Sequence, residues 1–151
     1  MAAACAEADR ADRSHTLDAA FLDRTFTRID QSIAMAALFA AHHMRASAIV
    51  SLTQSGSTAL WVTRIDSGIP VYALTPEESS RRRMTLFREC HPVAMQYRSY
   101  DMPAVLADVE RLMLENGLVK NGDLVVITVG EPVGKSGGTN NLKIVRIGSH
   151  S

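Results

Sequence analysis

The chain has 151 residues, 46% of them hydrophobic and 21% charged, which fits one globular domain with a single core rather than a disordered chain. Sixteen basic side chains balance sixteen acidic ones, so neither a nucleic-acid-binding surface nor an electrostatic membrane anchor is expected. No apolar run approaches the roughly 18 residues of a membrane span, and Met1–Ala6 lacks the basic flank of a signal peptide. Cys5 and Cys90 are too far apart in sequence to suggest a disulfide framework or a metal cluster, and a cytoplasmic protein with free thiols is expected.

Residues 1–12 read as a short helix and 13–29 as a polar connector. Asp30 is expected to cap a helix over Gln31–Arg45, with Ile33, Ala36, Ala37, Ala40 and Ala41 on its buried face. Ala46–Leu52 is a short, nearly continuous apolar run, as in a strand covered on both faces. Gly56–Ile65 reads as helix, with Trp61 in the core, and Ile69–Leu74 as strand. Thr75, Pro76 and Glu78 have the spacing of a capping box that opens the next helix. On that helix Arg81, Arg82 and Arg83 read as a solvated face. His91–Met95 is a weaker strand; Asp101–Asn116 is an amphipathic helix carrying Val105, Leu106, Val109, Leu112 and Met113 and closed by Gly117. After the turn Asn121–Asp123 comes Leu124–Val129, the strongest strand, and Leu142–Ile147 alternates apolar with charged, as an edge strand does.

Strands alternating with helices predict an α/β fold of three layers, with helices on both faces of a mostly parallel sheet. The last strand has no helix before it and should run antiparallel. Short right-handed crossovers then give a five-stranded mixed sheet of order 3-2-1-4-5.

Two loops stand out. Thr53–Thr58 carries four hydroxyls in six residues, and Gly130–Asn141 holds four of the nine glycines together with Lys135, Ser136 and Thr139. Each is ordinary loop chemistry when taken alone. The predicted strand order makes both leave the carboxyl ends of neighbouring strands where the winding reverses, the place where open α/β sheets bind ligands. Hydroxyls and free N–H groups there suit an anion. Lys135 is either its counter-ion or a solvated loop lysine. No paired carboxylates, metal-ligand spacing or nucleophile with a positioned base rises above background, so neither a catalytic residue nor a metal or cofactor site is expected.

The same residues carry a resemblance. Ser32–Ala37, Ala48–Ala59, Pro70–Pro76 and Gly122–Asn140 resemble, in order, the C-terminal domain of pyruvate kinase. The resemblance implies a regulatory and subunit-assembly domain over residues 30–151, with 1–29 the end of the catalytic barrel's last helix plus a connector. Met1 would then be a truncation point. The implied effector phosphate is cradled by Thr53, Ser55, Gly56, Ser57 and Thr58 and covered by Ser136, Gly137, Gly138 and Thr139. Mg²⁺ and K⁺ are implied only for the barrel, so this chain alone should be inactive. Gln54 and Ser57 stand where relatives that bind a bisphosphate often place basic residues, which favours a sugar monophosphate or nucleotide monophosphate. A homo-oligomer is implied as well, since the family uses this domain in subunit contacts, and the edge strand Leu142–Ile147 offers unpaired groups for pairing with a second copy. A stand-alone phosphate- or nucleotide-binding module is the alternative.

Overall fold

The computed structural model describes residues 25–135 and 138–149; the short helix and most of the connector expected before residue 25 lie outside them, as do Ser136 and Gly137. Four helices and five strands follow one another as α1 (Ile29–Met44), β1 (Ala48–Leu52), α2 (Ser57–Thr63), β2 (Val71–Thr75), α3 (Glu78–Met84), β3 (Cys90–Ala94), α4 (Met102–Glu115), β4 (Leu124–Gly130) and β5 (Thr139–Arg146). The sheet has the order β3-β2-β1-β4-β5. β1 pairs in parallel with β2 and β4, and β2 with β3, whereas β5 runs antiparallel to β4. The expected topology is borne out.

Alternate residues of the central strands feed two cores. Ala48, Val50 and Leu52 of β1, with Val125, Ile127 and Val129 of β4, pack against Val105, Val109 and Met113 of α4. On the other face Ile49, Val71 and Val126 meet Ala34, Met35, Ala37, Leu38 and Ala41 of α1 and Val62 of α2. A smaller cluster of Ala59, Ala73, Met84 and Cys90 seats α3 on the same side. Burial at the centre is complete, and even the polar pair Ser51 and Thr128 is enclosed, with the two hydroxyls 3.2 Å apart.

Local departures from expectation have physical causes. The buried face of α1 is rotated, so that Ala36 is exposed and Ile33 only half-buried. A helix with alanine on every side gives periodicity little to hold. Its first residue is Ile29, with Arg28 at the cap position. Asp30 therefore lies inside the first turn. Thr75 ends β2 fully buried and does not cap α3; its hydroxyl accepts the Glu77 N–H at 3.1 Å, and Glu77 holds the cap position. Trp61 is half-buried, with the Arg64 guanidinium 4.2 Å above its ring. β5 begins at Thr139, three residues earlier than the alternation suggested, because Thr139 pairs with Gly130. Among the described residues no helix is long and apolar enough to cross a membrane.

Candidate anion site between two loops

The first loop leaves β1 at Thr53. Thr53 N–H continues the ladder to the Leu74 carbonyl at 3.0 Å, and its hydroxyl accepts the Gly56 N–H at 2.8 Å. Gly56 precedes α2 at φ 86°, a backbone conformation open to glycine. A Cβ there would also lie 3.1 Å from the Met84 side chain. Ser55 Oγ accepts the Ser57 N–H at 3.3 Å and lies 3.3 Å from Ser57 Oγ. Thr58 Oγ1, buried, donates to Thr139 Oγ1 at 2.8 Å, so the loop after β1 is tied to the start of β5 across 81 residues of chain.

The second loop spans 131–138. Gly130 pairs with Thr139, and a Cβ on Gly130 would sit 2.5 Å from the Gly138 carbonyl oxygen. Only glycine permits that closure. Asn140 clamps the loop base in both directions: its Oδ1 accepts the Glu131 N–H at 2.9 Å and its Nδ2 donates to the Glu131 carbonyl at 3.0 Å. Lys135 is exposed.

Leu52 at the end of β1 and Thr53, Gln54 and Ser57 of the first loop face Val129, Gly130, Val133, Gly134, Lys135 and Thr139 across a cleft of about 10 Å³. That is room for about one water. The sequence-derived residues Thr53, Ser57, Lys135 and Thr139 thus share one cleft, with Ser55, Gly56 and Thr58 in the loop beside it and Gly138 at the closing end. Ser136 and Gly137 lie outside the described residues.

The structure also brings in groups that the sequence did not point to. Tyr97, from the β3–α4 connection, lines the cleft. Burial pushes its phenol up, Tyr100 adds to the shift, and a hydrogen bond with the Gln54 side chain pulls the other way. Tyr100 rests on the second loop, where a Cβ on Gly134 would meet its ring at 2.9 Å. Asp30, 3% exposed, accepts a hydrogen bond from Ser57 Oγ at 3.2 Å. Its carboxylate is held by Arg28 in a bidentate pair at 2.9 and 2.8 Å. Helix α3 braces the first loop from the opposite flank: Ser80 Oγ donates to the Gln54 carbonyl at 2.6 Å, and Arg83 Nη2 to the Ser55 carbonyl at 3.0 Å.

The arginine run is therefore not a uniform solvated face. Arg82 is exposed and pairs with Glu78 at 2.7 Å, Arg83 reaches the loop, and the Nε of Arg81 is enclosed with no hydrogen-bond partner. Ser80, Arg83 and Met84 share one helical face, and the strand order sets α3 beside the loop after β1.

His42 and His43 lie in the last turn of α1, remote from this cleft, and Cys90 is a buried thiol pushed up to about 11 by burial. A thiol so placed is not a nucleophile at neutral pH. Among the described residues no group of three or more His, Cys, Asp or Glu side chains could hold a metal ion.

A doubly wound α/β domain with two loops meeting at its winding reversal defines the class. The family follows from comparison: the pyruvate kinase alpha/beta domain matches residues 31–145, and the chain belongs to that family. It is 33% identical over 127 residues to pyruvate kinase II of Salmonella typhimurium, covering 83% of this chain and 26% of that protein. It is 36% identical over 129 residues to the pyruvate kinase of Buchnera aphidicola subsp. Schizaphis graminum, with the same two coverages. With the Haemophilus influenzae pyruvate kinase it shares 36% over 110 residues, 72% of this chain and 23% of the relative. The chain spans about a quarter of the length of these curated relatives.

Proposed function

We propose that this chain is the regulatory and subunit-assembly domain of a pyruvate kinase, the cytoplasmic glycolytic enzyme that converts phosphoenolpyruvate and ADP to pyruvate and ATP. In this reading residues 30–151 form the domain and 1–29 continue from the catalytic barrel, which would hold Mg²⁺ and K⁺. The 151 residues alone then carry no phosphotransfer, because that chemistry needs metal ions and positioned cations around the transferred group. β5, at one end of the sheet order, offers a strand edge for pairing with a second copy, and Leu142–Ile147 is the proposed contact.

The regulatory ligand is a phosphomonoester, a sugar monophosphate or a nucleotide monophosphate. The observation that carries this is the convergence of Thr53–Thr58 and 130–139 on one cleft at the carboxyl ends of β1 and β4. Thr53, Ser55, Gly56, Ser57 and Thr58 form the cradle, and Lys135, Ser136, Gly137, Gly138 and Thr139 the cover. Since the cleft holds about one water, a phosphate enters only if the cover lifts. Calorimetric titration of the chain with sugar phosphates and nucleotides tests the site. Ser55→Asp puts a carboxylate into the cradle and should abolish binding; undiminished affinity in that variant would place the ligand elsewhere.

A further inference from the structure

The first turn of α1 is attached to the rest of the domain by charge rather than by apolar contact. Ile29 is 71% exposed, Ser32 is exposed and Gln31 half-buried, so Asp30 is the one buried side chain of residues 29–32. Of residues 25–32 only Phe26 joins the apolar cluster that α1 forms with the sheet. The Asp30 carboxylate accepts four hydrogen bonds: Arg28 Nε and the Gln31 N–H at Oδ1, Arg28 Nη2 and Ser57 Oγ at Oδ2. Three of them come from within two residues of Asp30. The fourth crosses 27 residues of chain to the first residue of α2. The line continues into the loop, where Ser55 Oγ donates to Ser57 Oγ at 3.3 Å. At its other end the Arg28 carbonyl accepts the Ser32 N–H at 3.2 Å and closes the turn.

A buried carboxylate separated from its cation is costly to keep buried. If the turn unwinds and carries Arg28 away, Asp30 must follow it into water, and Ser57 then loses its partner. If Ser57 departs first, Asp30 gives up a hydrogen bond inside the protein and the turn is held less firmly. Each event favours the other. We propose that the Arg28–Asp30 pair couples the chain entering α1 to the loop Thr53–Thr58, so that the first turn of α1 and the start of α2 open and close as one unit. Arg28 is a positioning residue in this device and acts on the loop through Asp30. The coupling needs no ligand and does not rest on the phosphate reading. It makes the order of the loop depend on what holds the chain at residue 28, and by linkage the loop acts back on that segment to the same extent.

Native-state amide hydrogen exchange and NMR of the 151-residue chain test this. The Gly56 N–H, held by the Thr53 hydroxyl, and the Leu60 N–H, held by the Gly56 carbonyl, report the start of α2, and Ile127 in β4 reports the core. Arg28→Gln should speed exchange at Gly56 and Leu60 about tenfold or more and leave Ile127 unchanged. Arg28→Gln combined with Asp30→Asn strands no charge and should return both loop amides to within about threefold of wild type. Arg82→Gln, which breaks the exposed pair with Glu78, should leave them within about twofold. In the reverse direction, Ser57→Ala touches no arginine, yet it should move the Arg28 Nε–H resonance toward that of a solvated guanidinium. Unchanged exchange at Gly56 and Leu60 in Arg28→Gln, no rescue in the double variant, an equal effect of Arg82→Gln, or an Arg28 resonance indifferent to Ser57→Ala would each overturn the coupling. If Arg28→Gln unfolds the whole domain, Ile127 exchanges together with the loop, and the Arg28 resonance in Ser57→Ala then decides alone.

Discussion

The two loops that face each other across the cleft are held in different ways. Thr53–Thr58 is fixed along its length: a ladder bond at Thr53, a hydroxyl on the Gly56 N–H, Ser80 and Arg83 on consecutive carbonyls, Met84 beneath the glycine and Asp30 on Ser57. The loop over 131–138 is held at its base by the Gly130–Thr139 pair and the Asn140–Glu131 clamp and farther along by Val133, buried in the core, and Tyr100 against Gly134, while Lys135 is exposed. Binding costs least when the contact surface is already ordered, and an enclosed site still needs one part that can move. In the phosphate reading proposed above, the first loop is the seat and the second the cover. Four substitutions separate these roles.

The largest effect belongs to the hinge of the cover. Gly130→Ala drives a methyl to 2.5 Å from the Gly138 carbonyl oxygen, a backbone atom that cannot turn aside. We expect a loss of about 2–3 kcal/mol in urea unfolding. A loss below about 0.5 kcal/mol would mean that the cover is loose down to its base. The tie between seat and cover comes next. Thr139→Val leaves the buried Thr58 hydroxyl without its partner and should cost about 1–3 kcal/mol. Thr58→Val with Thr139→Val should cost less than the sum of the singles, since no orphaned hydroxyl remains. Strict additivity in that cycle would show that the loops are energetically independent. The smallest effect is at the tip: Lys135→Ala, made without ligand, should change stability by less than about 0.5 kcal/mol. A larger change would give the tip a structural role that the comparison denies it.

Sequence made the sheet legible because its central strands are short, mostly aliphatic runs separated by helical segments, and such alternation admits few windings. Both loops were legible for the same reason: their position follows from strand order. Contacts made through space were not. Asp30 has the residue type of a cap, but the helix starts at Ile29 with Arg28 at the cap position two residues before Asp30, which leaves Asp30 a buried charge beside Ser57. Arg83 sits in a run of three arginines whose individual directions no local pattern distinguishes, and the wall made by Tyr97 and Tyr100 depends on where an irregular connection crosses the second loop. Thr75 illustrates a conflict between levels. Its spacing to Glu78 satisfies a helix cap, but the pairing of β2 with β3 extends one residue further and takes it into the sheet.

The hydroxyl pair at the centre of the sheet bears on how accurately seat and cover can meet. β1 and β4 are both aliphatic, and a slip of two residues between them would keep every side chain on its own face, so hydrophobic burial alone discriminates weakly against it. Ser51 and Thr128 remove that ambiguity. They are partners in the observed register and both fully buried. After a two-residue slip Ser51 would lie beside Val126 or Gly130, and both hydroxyls would be stranded in an apolar layer, at about 1–3 kcal/mol each. Thr53 follows Ser51 by two residues and Gly130 follows Thr128 by two, so the same pair sets the relative height of the two loops. Two small polar side chains act as an alignment key, indexing one strand against the other so that the rims of the cleft arrive level.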